Sequence, residues 1–238
     1  MAMGLKGAAF LAIWHDIAEG GAGSGHDDYI EWHTREHMPE RLSIPGFRTG
    51  KRLHAPDAAR HVFATIYAGD EVEVFRSPAY LERLNNPTPW TRAVAPTFRN
   101  FLRIACERIA SAGTGDGGGM ATIRFDFAGP GAAAAFVSRT QALAEAILSL
   151  PGACGVHVGV ARDDVSGIRT RETELRRAMS EKGFDVVILI EGSSRAGLEG
   201  LIDRAERLAV ETGALASPTS LAYETAYSLT AEDMRSAA

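Results

Sequence analysis

The stretch Glu31–Phe47, EWHTREHMPERLSIPGF, concentrates the reactive side chains of this chain. His33 and His37 stand four residues apart, which in a helix puts both imidazoles on one face, about one turn from each other. Trp32 precedes the first and Glu36 adjoins the second. On a helical wheel Tyr29, His33, Glu36, His37 and Glu40 share a sector, with Trp32 and Pro39 on its flank and Thr34, Met38 and Leu42 opposite. The aromatic face is therefore also the polar one, which suits the lining of a pocket better than a dry core. An imidazole titrates near neutrality and can take a proton from a substrate. His37 is the candidate general base, expected to be a part-exposed pocket residue whose removal costs little stability. Glu36 or His33 would orient it or act as the complementary acid.

Other candidates lie on neighbouring strands. His15 and Asp16 end the first strand, opposite the start of the His-bearing helix. Arg48, Arg52 and His54 alternate along the second and so share a face, where Arg48 or Arg52 could stabilise developing negative charge. Tyr29, Trp32, Arg48, Arg52 and His15 are the expected substrate contacts. The string HTREH also satisfies H-x-x-E-H, the inverted zinc-protease pattern, and imidazoles four residues apart can share a metal. Glu107 is available as a third ligand, but its strand gives it no reason to converge on the pair, so no metal is expected. Trp90, Phe98 and Phe101 read as core. The loop Gly20–Gly25 lacks the Lys-Ser/Thr ending of a phosphate loop, so nucleotide binding is unsupported.

The elements that would position these residues recur. A strand over Ala8–Asp16, a helix over Asp27–Leu42 with Asp27 or Asp28 as N-cap, strands over Phe47–His54 and His61–Ala68, a helix over Val72–Leu84 and a strand over Phe98–Arg108 make one βαββαβ series. Ser111–Gly119, with five glycines in nine residues, reads as a linker unable to hold a regular element. The order then restarts: strand Ala121–Phe127, helix Ala132–Leu150, strands Ala153–Ala161 and Phe184–Glu191, helix Leu198–Thr212, strand Ser220–Leu229. A charged insertion, Asp163–Lys182, is expected to add a surface helix. LSLPGAC in the second series echoes the Pro45-Gly46 step of the first, without its imidazoles. The fold class is thus α+β. Two ferredoxin-like βαββαβ repeats, residues 1–112 and 120–238 about a linker at 113–119, pack their bare sheet faces together as an α+β barrel within one chain.

Composition bounds the function. The chain has 238 residues and a formal net charge of -5, with no basic stripe, which excludes nucleic acid and anionic membrane as expected partners. Residues 1–113 hold 13 basic and 13 acidic side chains, and residues 114–238 hold 12 and 17. Six of seven histidines and all three tryptophans fall in the first half, where the chemistry is expected. Two cysteines, Cys106 and Cys154, read as buried free thiols in a reducing cytoplasm. GAAFLAIW near the N-terminus reads as a strand rather than a signal peptide, and no run reaches the length of a membrane span.

The helix string W-x-x-x-E-H-x-P, here Trp32, Glu36, His37 and Pro39, is followed by Pro45-Gly46-Phe47 and a strand carrying Arg48, Lys51 and Arg52. It resembles the EthD-like branch of the dimeric α+β barrel superfamily. The resemblance implies a small-molecule enzyme: a cofactor-independent monooxygenase, cyclase or isomerase acting on an apolar, aromatic or polyketide-like compound, with no bound cofactor. It also implies that two chains commonly close the barrel; here one chain supplies both halves, and a homodimer of such tandem chains is a further expectation. The second half departs from the pattern, carrying Gln141, Glu145 and Leu148 on its helix, so a second equivalent site is not expected. Two rival readings remain: a non-catalytic ligand-binding or stress-related barrel, and a haem or zinc protein using His33 and His37.

Overall fold

A computed structural model describes residues 5–18, 25–129, 131–176, 181–213 and 218–236. Its first strand, β1 (Ala9–Ile17), is buried along almost its whole length. β3 (Phe63–Gly69), β5 (Gly119–Phe125) and β7 (Val186–Gly192) are buried at every residue. Strands rich in Val, Ile, Phe and Ala on both faces belong inside a layered structure, with one face against helices and the other against a second sheet. β2 (Phe47–His54), β4 (Phe98–Gly113), β6 (Ala153–Ala161) and β8 (Thr219–Thr230) flank them. In each half the two inner strands lie side by side, with the last strand beside the first and the second beside the third. The full ring runs β1-β3-β2-β8-β5-β7-β6-β4 and closes, with every neighbour antiparallel. β2 against β8 and β4 against β6 are the seams between halves, so no sheet edge is left unpaired. The expected pair of βαββαβ units packed sheet to sheet is what the chain forms.

Alternation along each strand divides the interior. Phe10, Ala12, Trp14, Ile66, Leu102, Ile104, Met120, Val187, Leu189 and Tyr223 fill the barrel. Leu11, Tyr67 and Ala105 face outward under the first half's helices, while Ile123, Val158, Ile188 and Ala222 do so in the second half. The second outer core is built on Leu143, Ala144 and Ile147 of α6 (Thr140–Leu148) and Leu198, Leu201, Ala205 and Ala209 of α9 (Arg195–Thr212).

The helices depart from expectation in instructive ways. The first runs as α1 (His26–Trp32), a π-helical turn His33–His37, and α2 (Met38–Leu42). Pro39 has no N–H for an i→i−4 bond and its ring crowds the carbonyl one turn back; the Met38 N–H bonds to the His33 carbonyl, and the wider turn relieves the clash. Gly25, not Asp27 or Asp28, is the N-cap, and both aspartates lie in the first turn. The second helix divides into a 3-10 turn Val72–Arg76 and α3 (Pro78–Asn85), because Pro78 suits only a helix start and Ser77 caps it. α4 (Pro89–Val94) follows, where the sequence suggests only irregular chain. The second half's helix is likewise two, α5 (Ala132–Val137) and α6. The insertion forms α7 (Asp163–Ser166) and α8 (Arg171–Leu175), and α10 (Ala231–Ser236) follows β8. Of the loop Gly20–Gly25, residues 20–24 lie outside the described residues.

The glycine-rich stretch is a tight crossover rather than slack chain. β4 continues through Gly113 and β5 starts at Gly119. A Cβ on Gly117 would stand 1.8 Å from the Gly192 carbonyl oxygen, so the glycine is there for close backbone approach. Cys106 is buried, whereas Cys154 is only partly so.

Gly159 on β6 offers a test of barrel packing. A Cβ there would lie 2.3 Å from Cζ of Phe10 and 2.9 Å from Cβ of Cys106, both on the inner face. Gly159→Val should destabilise the fold by about 1–3 kcal/mol through overpacking, measured as a lower urea midpoint at unchanged slope.

Candidate active site

The helix α1, the π turn and α2 lie over the outer face of β1 and β3, and the side chains between them form an aromatic and imidazole cluster. β1 contributes His15, β3 contributes Phe63, Thr65 and Tyr67, and β4 contributes Phe98 and Phe101. From the helix come Tyr29, Trp32, His33 and His37, all buried. The Trp32 and His37 rings are 4.2 Å apart, His33 and His37 5.7 Å, Tyr29 and His33 5.4 Å, and His15 and Phe98 4.5 Å. Met38 and Leu42 also turn inward, contrary to the wheel, because the π turn rotates everything after it.

Hydrogen bonding leaves part of this cluster unsatisfied. His15 Nε2 meets the Tyr29 hydroxyl at 3.1 Å, and His33 Nε2 lies 3.4 Å from the Thr65 hydroxyl and 3.5 Å from that of Tyr67. The Nδ1 atoms of His15, His33 and His37 are all buried with no hydrogen-bond partner. Orphaned polar atoms of this kind are rare in folded proteins, and three on adjoining rings mark a place built for something other than packing.

Burial keeps these rings neutral. Burial lowers the pKa of His15 to about 3. Burial holds His33 and His37 well below the usual imidazole value; next, for His33, come the repulsion that protons on both rings would feel and the charge of Arg52, and for His37 the charges of Arg41 and Arg176. Arg52 donates to the Thr34 hydroxyl at 2.8 Å and to the Ile30 carbonyl at 3.2 Å, tying β2 to the helix.

The side of the cluster facing the second half is closed by the insertion, an element expected on the surface. Glu172 of α8 is 2 % exposed and accepts from Arg41 Nη2 at 2.6 Å and from Arg176 Nη2 at 2.9 Å. Burial would raise the Glu172 carboxyl, yet the two guanidinium groups outweigh it and hold the carboxyl below its ordinary range. The Arg176 guanidinium lies 4.4 Å from the centre of the Phe101 ring and 5.4 Å from that of Phe98. Arg176 and Phe101 also line a cavity of about 390 Å³ with Arg103, Ile168, Arg169 and Thr173, so this cavity abuts the imidazole cluster. Neither Arg41, Glu172 nor Arg176 was a sequence candidate.

The expected site residues therefore divide. His15, Tyr29, Trp32, His33, His37 and Arg52 are brought together. Glu36 is turned away: its Oε1 accepts from the hydroxyls of Thr88 at 2.5 Å and Thr91 at 3.3 Å, and Thr91 in turn accepts from the Trp32 indole at 3.2 Å. Arg48 is not brought in either, because a β-bulge shifts the register between Phe47 and Thr49, and it pairs at the surface with Asp70. Asp16, one residue from His15, points to the opposite face and accepts from the Val62 amide and the Asn100 side chain. Glu107 is exposed and faces Arg162. Among the described residues no group of three or more His, Cys, Asp and Glu is placed to hold a metal ion. His37 is buried against Trp32 rather than part-exposed, so its removal would leave a void.

No protein-family model matches the sequence, and no curated protein matches it either. Solved structures do match. An anthrone oxidase-like protein superposes with a TM-score of 0.62 at 13% identity, covering 94% of this chain and 92% of that one. A candidate monooxygenase from Fusobacterium nucleatum gives 0.57 at 9%, covering 94% and 95%. A candidate chlorite dismutase gives 0.53 at 9%, covering 97% and 99%. The fold is the dimeric α+β barrel. At such identities the likeness is one of fold, and the barrel's chemistry must be read from its own side chains. No helix among the described residues is long and apolar enough to cross a membrane.

Two outcomes follow from this electrostatic arrangement. Glu172→Ala removes the carboxylate shared by Arg176 and Arg41, leaving Arg41 with Glu40 alone at 2.7 Å, and should cost about 3–5 kcal/mol in chemical denaturation. The depressed imidazoles bind protons in the unfolded chain but not in the folded one once pH falls below the ordinary value of 6.5. Stability should thus fall with acidity below that value, by roughly 1.4 kcal/mol per pH unit for each imidazole. His15→Phe should make the decline shallower by about one proton's worth, measured as the slope of unfolding free energy against pH between 6 and 4.

Proposed function

We propose that this barrel is a small-molecule enzyme of the EthD-like branch that takes a proton from an activated carbon of an apolar aromatic or polyketide-like compound, using its own side chains and no bound cofactor. The observation that carries this reading is the set of three neutral, buried imidazoles with unpartnered Nδ1 atoms inside an aromatic box. The names of the fold neighbours, an anthrone oxidase-like protein and a candidate monooxygenase, support it. So does the string from Trp32 to Phe47.

A neutral imidazole has a free lone pair, so it is in the right protonation state to act as base. His37 is the base in this reading, with His33 relaying to the Thr65 and Tyr67 hydroxyls behind it. Arg41, Arg52 and Arg176 supply positive potential near the same rings and would stabilise the enolate left by proton removal. Phe101, which lines the adjoining cavity with Arg176, offers the aromatic wall against which a flat ring system would lie. Rearrangement, cyclisation or addition of molecular oxygen can follow the same first step.

Anthrone is a suitable probe because its methylene group is an activated carbon acid. Proton removal, addition of O2 and loss of water convert it to anthraquinone, with one O2 consumed and one water released. In D2O under argon, methylene hydrogen exchange followed by proton NMR reads the first step alone. The protein should speed exchange above background, and His37→Gln should reduce the gain by about 100-fold or more. Binding of anthrone without faster exchange would instead assign the site to a ligand-binding protein. Equal exchange in wild type and His37→Gln would remove His37 from the chemistry.

A further inference from the structure

The inner chamber of the barrel carries a second group that packing leaves unpaired. Arg124 of β5 points inward, is 7 % exposed, and lies with its guanidinium 4.6 Å from the centre of the Trp14 ring. Its Nη2 donates to His61 Nδ1 at 3.1 Å, and the same ring's Nε2 meets the Asn100 carbonyl at 3.1 Å, so His61 serves as a neutral acceptor. Arg124 Nε is buried with no partner. Among the described residues no carboxylate lies within ion-pair distance of this guanidinium: Glu181 pairs with Arg60 and His61, and Asp126 pairs with Lys182. A buried arginine without a counter-ion is expensive, and the stack on Trp14 offsets only part of that cost.

Arg124 lines a cavity of about 610 Å³ at the end of the barrel, a size that suits a small organic ligand. Leu102, Phe184 and Leu221 give it apolar wall. The imidazole cluster lies on the other side of the sheet, since Trp14 and His15 are successive residues of β1 and face opposite ways. We propose that this barrel-end cavity is a second ligand site, taking a small amphipathic carboxylate whose headgroup pairs with Arg124 and whose apolar body lies along Leu102, Phe184 and Leu221. A carboxylate matches the planar fork of a single guanidinium and supplies the one negative charge that Arg124 lacks.

The test is calorimetric titration of the full chain with octanoate, octyl phosphate and 1-octanol. Octanoate should bind saturably at one site, with the alcohol at least ten-fold weaker. Arg124→Met, checked for native circular dichroism, should weaken octanoate at least ten-fold and bring it level with the alcohol. Leu221→Trp fills the cavity while keeping the arginine, and it should also abolish octanoate binding, which decides the matter if Arg124→Met does not fold. Equal binding of octanoate and octanol, ten-fold preference for octyl phosphate, unchanged affinity in a folded Arg124→Met, or retained binding in Leu221→Trp would each overturn the assignment.

Discussion

A single carboxylate taken out of water, Glu172 between Arg41 and Arg176, is the interaction on which the candidate site depends. It joins a helix of the first half to an insertion of the second, across 131 residues of sequence. Each member alone would be intolerable at that depth, and Glu40, which accepts from Arg41 Nη1 at 2.7 Å, extends the cluster toward solvent. Burial is the main reason His37 stays neutral, and the Arg41 and Arg176 guanidinium groups are the next causes of its low proton affinity. The triad is therefore both a clamp on the architecture and the source of the potential in which any chemistry here would take place. A surface ion pair such as Arg48 with Asp70, screened by solvent, does neither.

The two halves share a topology and use it differently. In the second half the seam between helices and sheet is filled by alanine, valine, leucine, isoleucine and phenylalanine, and the helical residues facing it lie on regular turns. In the first half the same seam holds three imidazoles, three phenols and an indole, with a π turn in the middle of the helix. Dry packing stabilises one side of the barrel, and the other side retains buried polar atoms whose hydrogen bonds are not all made. A closed ring of eight antiparallel strands lets one side carry this cost, because every strand is paired and the inner core spans both halves. His157, the one histidine of the second half, faces inward and meets Ser111 at 2.7 Å, away from any such cluster.

Most of the fold was legible because period-two alternation and turn residues are local signals. Phe47–His54 and Ala153–Ala161 match the strands residue for residue. The site was legible only where it too was local: Tyr29, Trp32, His33 and His37 lie on one short helix, and His15 could be placed opposite it. What failed had non-local or sub-turn causes. A helical wheel assumes 3.6 residues per turn, so the π turn at Pro39 misplaced Met38 and Leu42 and brought Glu36 toward α4. Strict alternation on β2 was broken by a bulge, which released Arg48 to the surface. The insertion reads as solvent-facing because it is highly charged, and nothing near Glu172 or Arg176 in sequence indicates that a guanidinium in the first half will bury them.

The alternation that built the barrel also sets two chambers back to back. Trp14 and His15 are neighbours on β1, one under the Arg124 guanidinium inside the barrel and the other against Tyr29 beneath the helix. One sheet thickness separates the chambers, and the low polarity of its packed side chains screens charge poorly. His61, which accepts from Arg124 on the inner side, is near enough to His15 on the outer side for a charge on one ring to be felt by the other. Neither chamber's charge state is therefore independent of the other. An anion settling against Arg124 would make the potential at His15 less positive and ease protonation there, which is the direction in which a proton-accepting cluster gains basicity.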